Sequence, residues 1–444
     1  MSFTRIHYDA YHNKIYCIEN DGTERRKIEF SPKFEYYVPD PTGQSEIKDI
    51  YGNPVKLTEA EKRKDMQLVA QSIKTCETDI PMDIKFLHKK YENENLKVDM
   101  KNFQVATIDI EVESPEFPEP EDAKYPINLI SVHYSKENKL YTFGNREYTG
   151  DDPTVQNFHY CADEKTMLER FIKHFRIKKV DIVTGWFLRT FDVPYIINRC
   201  KNLKIELSLS PLNVYHKKHW QGYHIDEGDN FEIPGISILD GVDIFKNFER
   251  DKQVSYSLQN IGMLVVGEGK KDYEGTINDA WEKDWNGFVE YNVQDVLLVK
   301  KIEEKKKYIE LTITLCYATL IPFQRIFSSI SIVEGYILKY LHNNNMVMSD
   351  HEKNKLIKKL PGAFVQASVK YHAYCMSWDA ESLYPTIISM YGISPETLKL
   401  DGLYELKINN EIKIVNGNDI IQIKRNDLIL NILVKNLQND DEII

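Results

Sequence analysis

The run TIDIEV places two carboxylates, Asp109 and Glu111, two residues apart. In an extended strand this spacing points both to one face and turns Ile108 and Ile110 to the other. Neighbouring buried carboxylates repel, and burial strengthens the repulsion. A divalent cation between them would relieve it; an exposed strand face would also tolerate the pair. Two further stretches favour the cation. GWFLRTFDVPYIINR sets Asp192 at the start of a helix after the strand-like VDIVTGW. Such strand-to-helix turns collect ligands in α/β domains. FVEYNVQDVLLV sets Tyr291 and Asp295 at i and i+4, on one helical face. Together the four acids and one hydroxyl could hold two Mg2+ ions. Two such ions about 4 Å apart activate a water and stabilise the leaving oxygen of a phosphodiester. Tyr291 would orient that water. Another acid, Asp379, opens DAESLYP, a turn suited to a metal and a triphosphate.

The elements around these acids set the domain plan. A chain of 444 residues exceeds one core. IHYDAYHNKIYCIENDGTERRKIEF holds two strand-like runs around an Asp-Gly turn. Glu59 to Ile73 has the spacing of an amphipathic helix. From Phe103 the texture becomes that of an α/β sheet: FQVATIDIEV, NLISVHYS, KLYTFG and VDIVTGW as strands, TMLERFIKHFRI as a helix. Leu311 to Asn345 reads as helical. Strand-like AFVQASV and AYCMSWDA then precede helix-like YPTIISMYG. The apolar positions of LILNILVKNLQNDDEII have helical spacing.

Composition limits the function classes. Hydrophobic content of 42% and charged content of 28% are those of a soluble globular protein. There is no apolar run of bilayer length and no apolar signal segment, so the expected location is cytoplasmic. The six cysteines form no C-x-x-C pair and read as reduced thiols rather than a zinc site. The net charge of −11 argues against a simple nucleic-acid binder. It suits an enzyme that clusters carboxylates around metals. Basic runs around Lys178, Lys217, Lys305 and Lys353 read as solvated faces. GEGKK at Gly267 lacks the spacing of a phosphate loop.

DIE, then FD, then YxxxD, in this order within an α/β domain, resemble the three motifs of the DEDDy 3′→5′ exonucleases. DAESLYP resembles motif A of the family B DNA polymerases, with Thr386 in place of a usual Ser. FPEP, GISILD, SYSL, ISPET and ENDGTERRKIEFSPKF resemble the polymerases of T-even-like bacteriophages, in collinear order over essentially the whole chain. The resemblance implies a multidomain α/β and α+β protein. Residues 1–103 would begin a mixed α/β N-terminal domain, completed by a helical return at 308–350. Residues 104–307 would form an RNase H-like mixed-sheet exonuclease domain, and 351–444 a partial palm. It assigns exonuclease metals to Asp109, Glu111, Asp192 and Asp295, with Tyr291 catalytic. It gives polymerase metals to Asp379, triphosphate contacts to Ser382 and Leu383, and the sugar-packing role to Tyr384. Phe117 would stack on the frayed primer end, and NVYHKKHWQGYHIDEGDNFEI would be the hairpin that parts primer from template.

Two departures matter. The second exonuclease motif usually has Asn where this chain has Phe187, so a hydrogen bond to the substrate strand is lost. No K-x-x-x-N-S-x-Y-G helix and no D-T-D strand follow motif A. The expected partners are therefore a DNA primer-template, dNTPs and a C-terminal polymerase subunit carrying fingers, remaining palm and thumb. A sliding clamp would act through that subunit. A truncated product is the alternative to a natural split. A stand-alone DEDDy exonuclease and a nucleic-acid-binding regulator are the competing functions.

Overall fold

The β-branched run Val105–Val112 forms a strand near the middle of a six-stranded sheet. From one edge the strands are Phe158–Tyr160, Lys139–Gly144, Ile127–Tyr134, Val105–Val112, Ile182–Thr184 and Ser237–Ile238. Ile127–Tyr134 runs antiparallel to both its neighbours, and the remaining pairs are parallel. This mixed sheet, with helices packed on it, meets the RNase H-like expectation. Every residue of Ile127–Tyr134 is buried, as a strand covered on both faces requires.

The computed structural model describes residues 2–207, 209–212, 224–225, 231–249, 251–270, 281–350, 371, 376, 382–393, 403–408, 411–416, 420–425 and 428–433. The chain divides into two units, one of residues 1–34 and 80–340, the other of 35–79 and 341–444. Among the described residues no helix is long and apolar enough to cross a membrane. The five described cysteines are all buried free thiols.

In the first unit, three helices bear on the sheet: Glu164–Ile177, Asp192–Asn202 and Trp285–Lys306. Carboxylates fix where helices begin. Asp163 accepts from Thr166 N, Asp284 from Gly287 N, and Asp240 from Val242 N at the head of Gly241–Phe248. Each satisfies a backbone donor that the first turn leaves open. The core beneath is apolar and continuous, with Ile108, Ile110, Ile130, Phe143, Phe171 and Tyr195 in one cluster. Close backbone approach makes glycine necessary at Gly185, where a Cβ would lie 2.6 Å from Ile108 O. Gly241 N bonds Gly185 O at 2.8 Å, which ties this turn to the next helix.

The same unit holds an antiparallel sheet of Ser2–Asp9, Lys14–Asn20 and Arg25–Phe30. The expected Asp-Gly turn joins the last two strands. Gly22 has φ 92°, and Asp21 Oδ1 accepts from Thr23 N and Glu24 N. Helical structure after Lys306 comes in two pieces, Tyr308–Thr319 and Ser329–Asn343. Pro322 interrupts the continuous helical region expected from Leu311 to Asn345, and a short 3-10 helix, Phe323–Phe327, fills the gap.

In the second unit Lys48–Asp49 pairs in parallel with Met346–Val347. Asp350 fastens this pairing by accepting from Thr75 Oγ1 and Thr78 Oγ1, each at 2.5 Å. The helix expected from Glu59 begins only at Arg63, because Val55–Ala60 is a strand. A larger correction concerns Leu428–Leu433, which is a strand rather than part of a helix. It pairs antiparallel with Ile420–Arg425, from Arg425–Leu428 to Ile420–Leu433. A near-continuous apolar run fits either period, and only Asn426 and Asp427 separate the two strands in sequence, an interval that favours a hairpin.

Candidate active site

Asp109 and Glu111 leave the same face of Val105–Val112, while Ile108 and Ile110 are buried on the other. Asp192 is the first residue of Asp192–Asn202, where the helix terminus favours an anion. Its Oδ1 accepts from Ile110 N at 3.0 Å, so it grips the strand between the other two acids. Tyr291 and Asp295 lie one turn apart on Trp285–Lys306, both buried. Asp109, Glu111 and Asp295 each offer a carboxylate oxygen within 4.8 Å of the others. All five side chains line one cavity of about 910 Å³, within the usual range of ligand sites, roughly 300–1,000 Å³.

The electrostatics follow from crowding acids out of water. Burial first, then Asp192, Asp295 and Glu111, hold Asp109 well above the usual carboxylate range. Burial and the repulsion of Asp295 push Glu111 up to about 8. Asp192 is pushed up to about 7 by burial, against its bond from Ile110 N. Asp295 is also raised by burial, although Lys270 opposes this. Asp295 Oδ1 has no hydrogen-bond partner among the described residues. A set of hard carboxylate oxygens, raised in pKa and with one buried oxygen unused, fits divalent cations of the Mg2+ type.

Two residues at the site escaped the sequence reading. Lys270 Nζ donates to Asp295 Oδ2 at 2.5 Å and to Tyr291 OH at 2.9 Å. Burial opposes its charge, but Asp295, Tyr291 and Asp109 more than offset this and raise its pKa. Among the described residues it is the only basic side chain on the cavity wall. Nothing in GEGKK signals this placement, because Lys270 reaches the acids from a distant loop. Asn292 donates from Nδ2 to Asp109 Oδ2 at 2.6 Å. Its place beside Tyr291, three residues before Asp295, was the available clue.

The loop after the strand projects Phe117, which is 76% exposed and 5.7 Å from the Phe191 ring, centroid to centroid. Helix Asp192–Asn202 anchors that loop. Asn198 Nδ2 donates to Pro120 O at 2.9 Å, and Tyr195 OH to Tyr125 O at 2.9 Å. Arg199 donates to Ala123 O and Lys124 O, and pairs with both oxygens of Glu164 at 2.7 Å.

Phe187 also lines the cavity, 41% exposed, with φ 61°. A bulky side chain is strained in the left-handed region, and Asn tolerates it. Phe187→Asn is therefore expected to stabilise the unit by about 0.5–1 kcal/mol. Thermal melting checks this, and a lower melting midpoint would contradict the strain argument.

The candidate polymerase residues lie in the other unit. Ser382, with φ 53°, immediately precedes the helix Leu383–Tyr391, and Leu383 and Tyr384 are exposed, Tyr384 by 70%. Asp379 lies outside the described residues, and so does most of the expected primer-separating hairpin. Its described part is an antiparallel pair of His224–Ile225 with Phe231–Glu232.

Comparisons with known proteins bear on this geometry. Residues 55–261 match the model of the DNA polymerase family B exonuclease domain, and 321–439 that of DNA polymerase family B. The chain is 31% identical over 418 residues to the DNA-directed DNA polymerase of Escherichia phage RB69, covering 86% of this chain and 46% of that one. It is 29% identical over 415 residues to that of Enterobacteria phage T4, again covering 86% and 46%. The DNA polymerase of Pyrococcus glycovorans is 22% identical over 430 residues, covering 87% and 53%. The chain thus spans about half the length of the curated relatives it matches. On the strength of two matched domains in the family's order, the chain belongs to DNA polymerase family B.

Proposed function

We propose that this chain removes nucleotides from DNA 3′ ends, as the proofreading part of a family B DNA polymerase. The observation that carries this reading is the meeting of Asp109, Glu111 and Asp295 within 4.8 Å, beside Asp192 and Tyr291 in one cavity. Two divalent cations bound there would supply Lewis-acid stabilisation of both the attacking and the leaving oxygen. Asp109, Glu111, Asp192 and Asp295 would hold them. The reaction adds water to the terminal phosphodiester and breaks the P–O3′ bond. It leaves a 3′-hydroxyl on the shortened strand and releases a 5′-nucleotide.

The chain's own groups have separable tasks. Burial holds the Tyr291 phenol above its ordinary pKa, so it stays protonated. Its oxygen accepts from Lys270, and this holds the hydroxyl at the cavity wall, where it would orient a water or a phosphate oxygen. Phe117 presents a ring on which a terminal base can stack. Phosphodiester oxygens entering an acidic cavity meet Lys270 as a fixed positive charge.

The polymerase part of the proposal is half a site. Asp379 would bind metal, Ser382 and Leu383 would contact triphosphate, and Tyr384 would pack under the sugar. The remaining palm, fingers and thumb would be supplied from outside these 444 residues. A 5′-labelled primer-template tests both parts. With Mg2+ the chain should shorten the primer, more readily when its end is mismatched, and chelator should stop this. With dNTPs it should not extend the primer alone. Failure to shorten any strand would refute the exonuclease reading, and extension by this chain alone would refute the half-site.

A further inference from the structure

We infer that Asn292 is a positioning residue for Asp109. The inference rests on the exonuclease reading above and assigns a role to a side chain outside the motif residues. Asn292 sits on Trp285–Lys306 with its side chain 0% exposed. Its Nδ2 donates to Asp109 Oδ2 at 2.6 Å, across 183 residues of sequence. Its Oδ1 has no hydrogen-bond partner among the described residues.

Stability alone does not account for Asn at this position. Asn is a poorer helix former than Leu or Ala. A buried amide with one end unmatched is a net cost, whereas an apolar side chain would suit a helix face that also carries Val289 and Val296, both buried. What Asn292 gains is control of Asp109. That carboxylate stands among acids that repel it, and a free rotamer would turn away from them. One hydrogen bond to Oδ2 fixes the plane of the group and leaves Oδ1 for the cavity. A neutral donor does this without adding charge. A lysine or arginine would hold Asp109 as firmly but compete with a divalent cation for it. Hydrogen bonds to ligating carboxylates orient them, and losing one typically weakens metal affinity 10–100-fold.

The test compares the full chain with Asn292→Ala and Asn292→Leu, and uses Asp109→Ala as control. Mn2+ binding is measured directly by electron paramagnetic resonance, and thermal melting is measured in chelator. Mn2+ affinity should fall 10–100-fold in both Asn292 variants, with melting in chelator unchanged or higher, and saturating Mn2+ should recover much of the cleavage rate. Affinity within twofold of wild type would overturn the positioning role. So would a lower melting midpoint in both variants with cleavage that Mn2+ does not recover, since that marks a structural part. Wild-type Mn2+ binding that survives Asp109→Ala would instead place the failure in the exonuclease reading, and Asn292 would fall with it.

Discussion

Asp109→Asn should reduce 3′-end cleavage by roughly a thousandfold or more, the scale on which loss of one member silences a catalytic unit. The same substitution should make the cation-free protein more stable. The sign follows from the pKa directions. Burial and mutual repulsion hold Asp109 above its ordinary value, with Glu111 at about 8 and Asp192 at about 7. The folded state therefore binds these protons more tightly than the unfolded chain, whose carboxyls titrate near about 4. Stability from this cluster is full below about pH 4 and declines as pH rises through 7 and 8. Removing one charge relieves the decline. In chelator at pH 8 the variant should melt about 3 °C or more above wild type, given about 2–4 °C per kcal/mol for a unit of this size. The gap should narrow toward pH 5. Mg2+ should reverse the order, because only wild type retains the full set of ligands. Calorimetry between pH 5 and pH 8.5, with and without Mg2+, gives all four comparisons. A variant that melts below wild type in chelator at pH 8 would mean that the acids are not in conflict.

Period-2 and period-4 spacing made much of this site legible. Asp109 and Glu111 share a strand face because side chains alternate, and Tyr291 and Asp295 share a helix face because a turn holds 3.6 residues. Local rules also placed Asp192, since a strand followed by a turn and an acidic helix start is a short-range pattern. What sequence did not disclose was reach. Lys270 meets Asp295 across 25 residues, and Asn292 meets Asp109 across 183. Neither pairing leaves a periodic trace. Register had the same limit: Leu428–Leu433 fits a helix by its own spacing, and only pairing with Ile420–Arg425 makes it a strand. Phe187 differs again. Its departure from the resembling pattern was visible as a residue type, but the positive φ that makes the change costly belongs to the backbone.

The second large effect concerns stability away from the site. Asp181→Asn should destabilise the first unit by about 3–5 kcal/mol, the usual scale for stripping the partner from a buried charge. Asp181 is fully buried and its Oδ1 accepts from Arg5 Nε and from Arg25, each at 2.6 Å. Its Oδ2 takes Gln104 N at 2.8 Å, the backbone amide just before the strand that bears Asp109 and Glu111. Arg5 is almost as buried and also donates to Lys179 O at 2.5 Å and to Val180 O. Burial lowers the Arg5 guanidinium to about 10, against the pull of Asp181, so it remains charged at neutral pH. A neutral amide at 181 would leave that charge without its counterion, where water cannot reach it. Melting should fall by about 6–20 °C on the same scale of degrees per kcal/mol. The exposed pair Arg26–Glu24 is the contrast, since its loss should be barely measurable. Arg5→Met combined with Asp181→Asn should recover part of the deficit, because the buried unpaired charge is gone while the amide oxygen can still accept from Gln104 N. A single-variant loss below about 1 kcal/mol, or no recovery in the double variant, would mean that the N-terminal sheet is held to the sheet of the site by apolar packing instead. Under the ionic account, proteolysis of Asp181→Asn should begin within the strands Ser2–Asp9 and Arg25–Phe30, while the folded fraction still cleaves DNA ends at the wild-type rate.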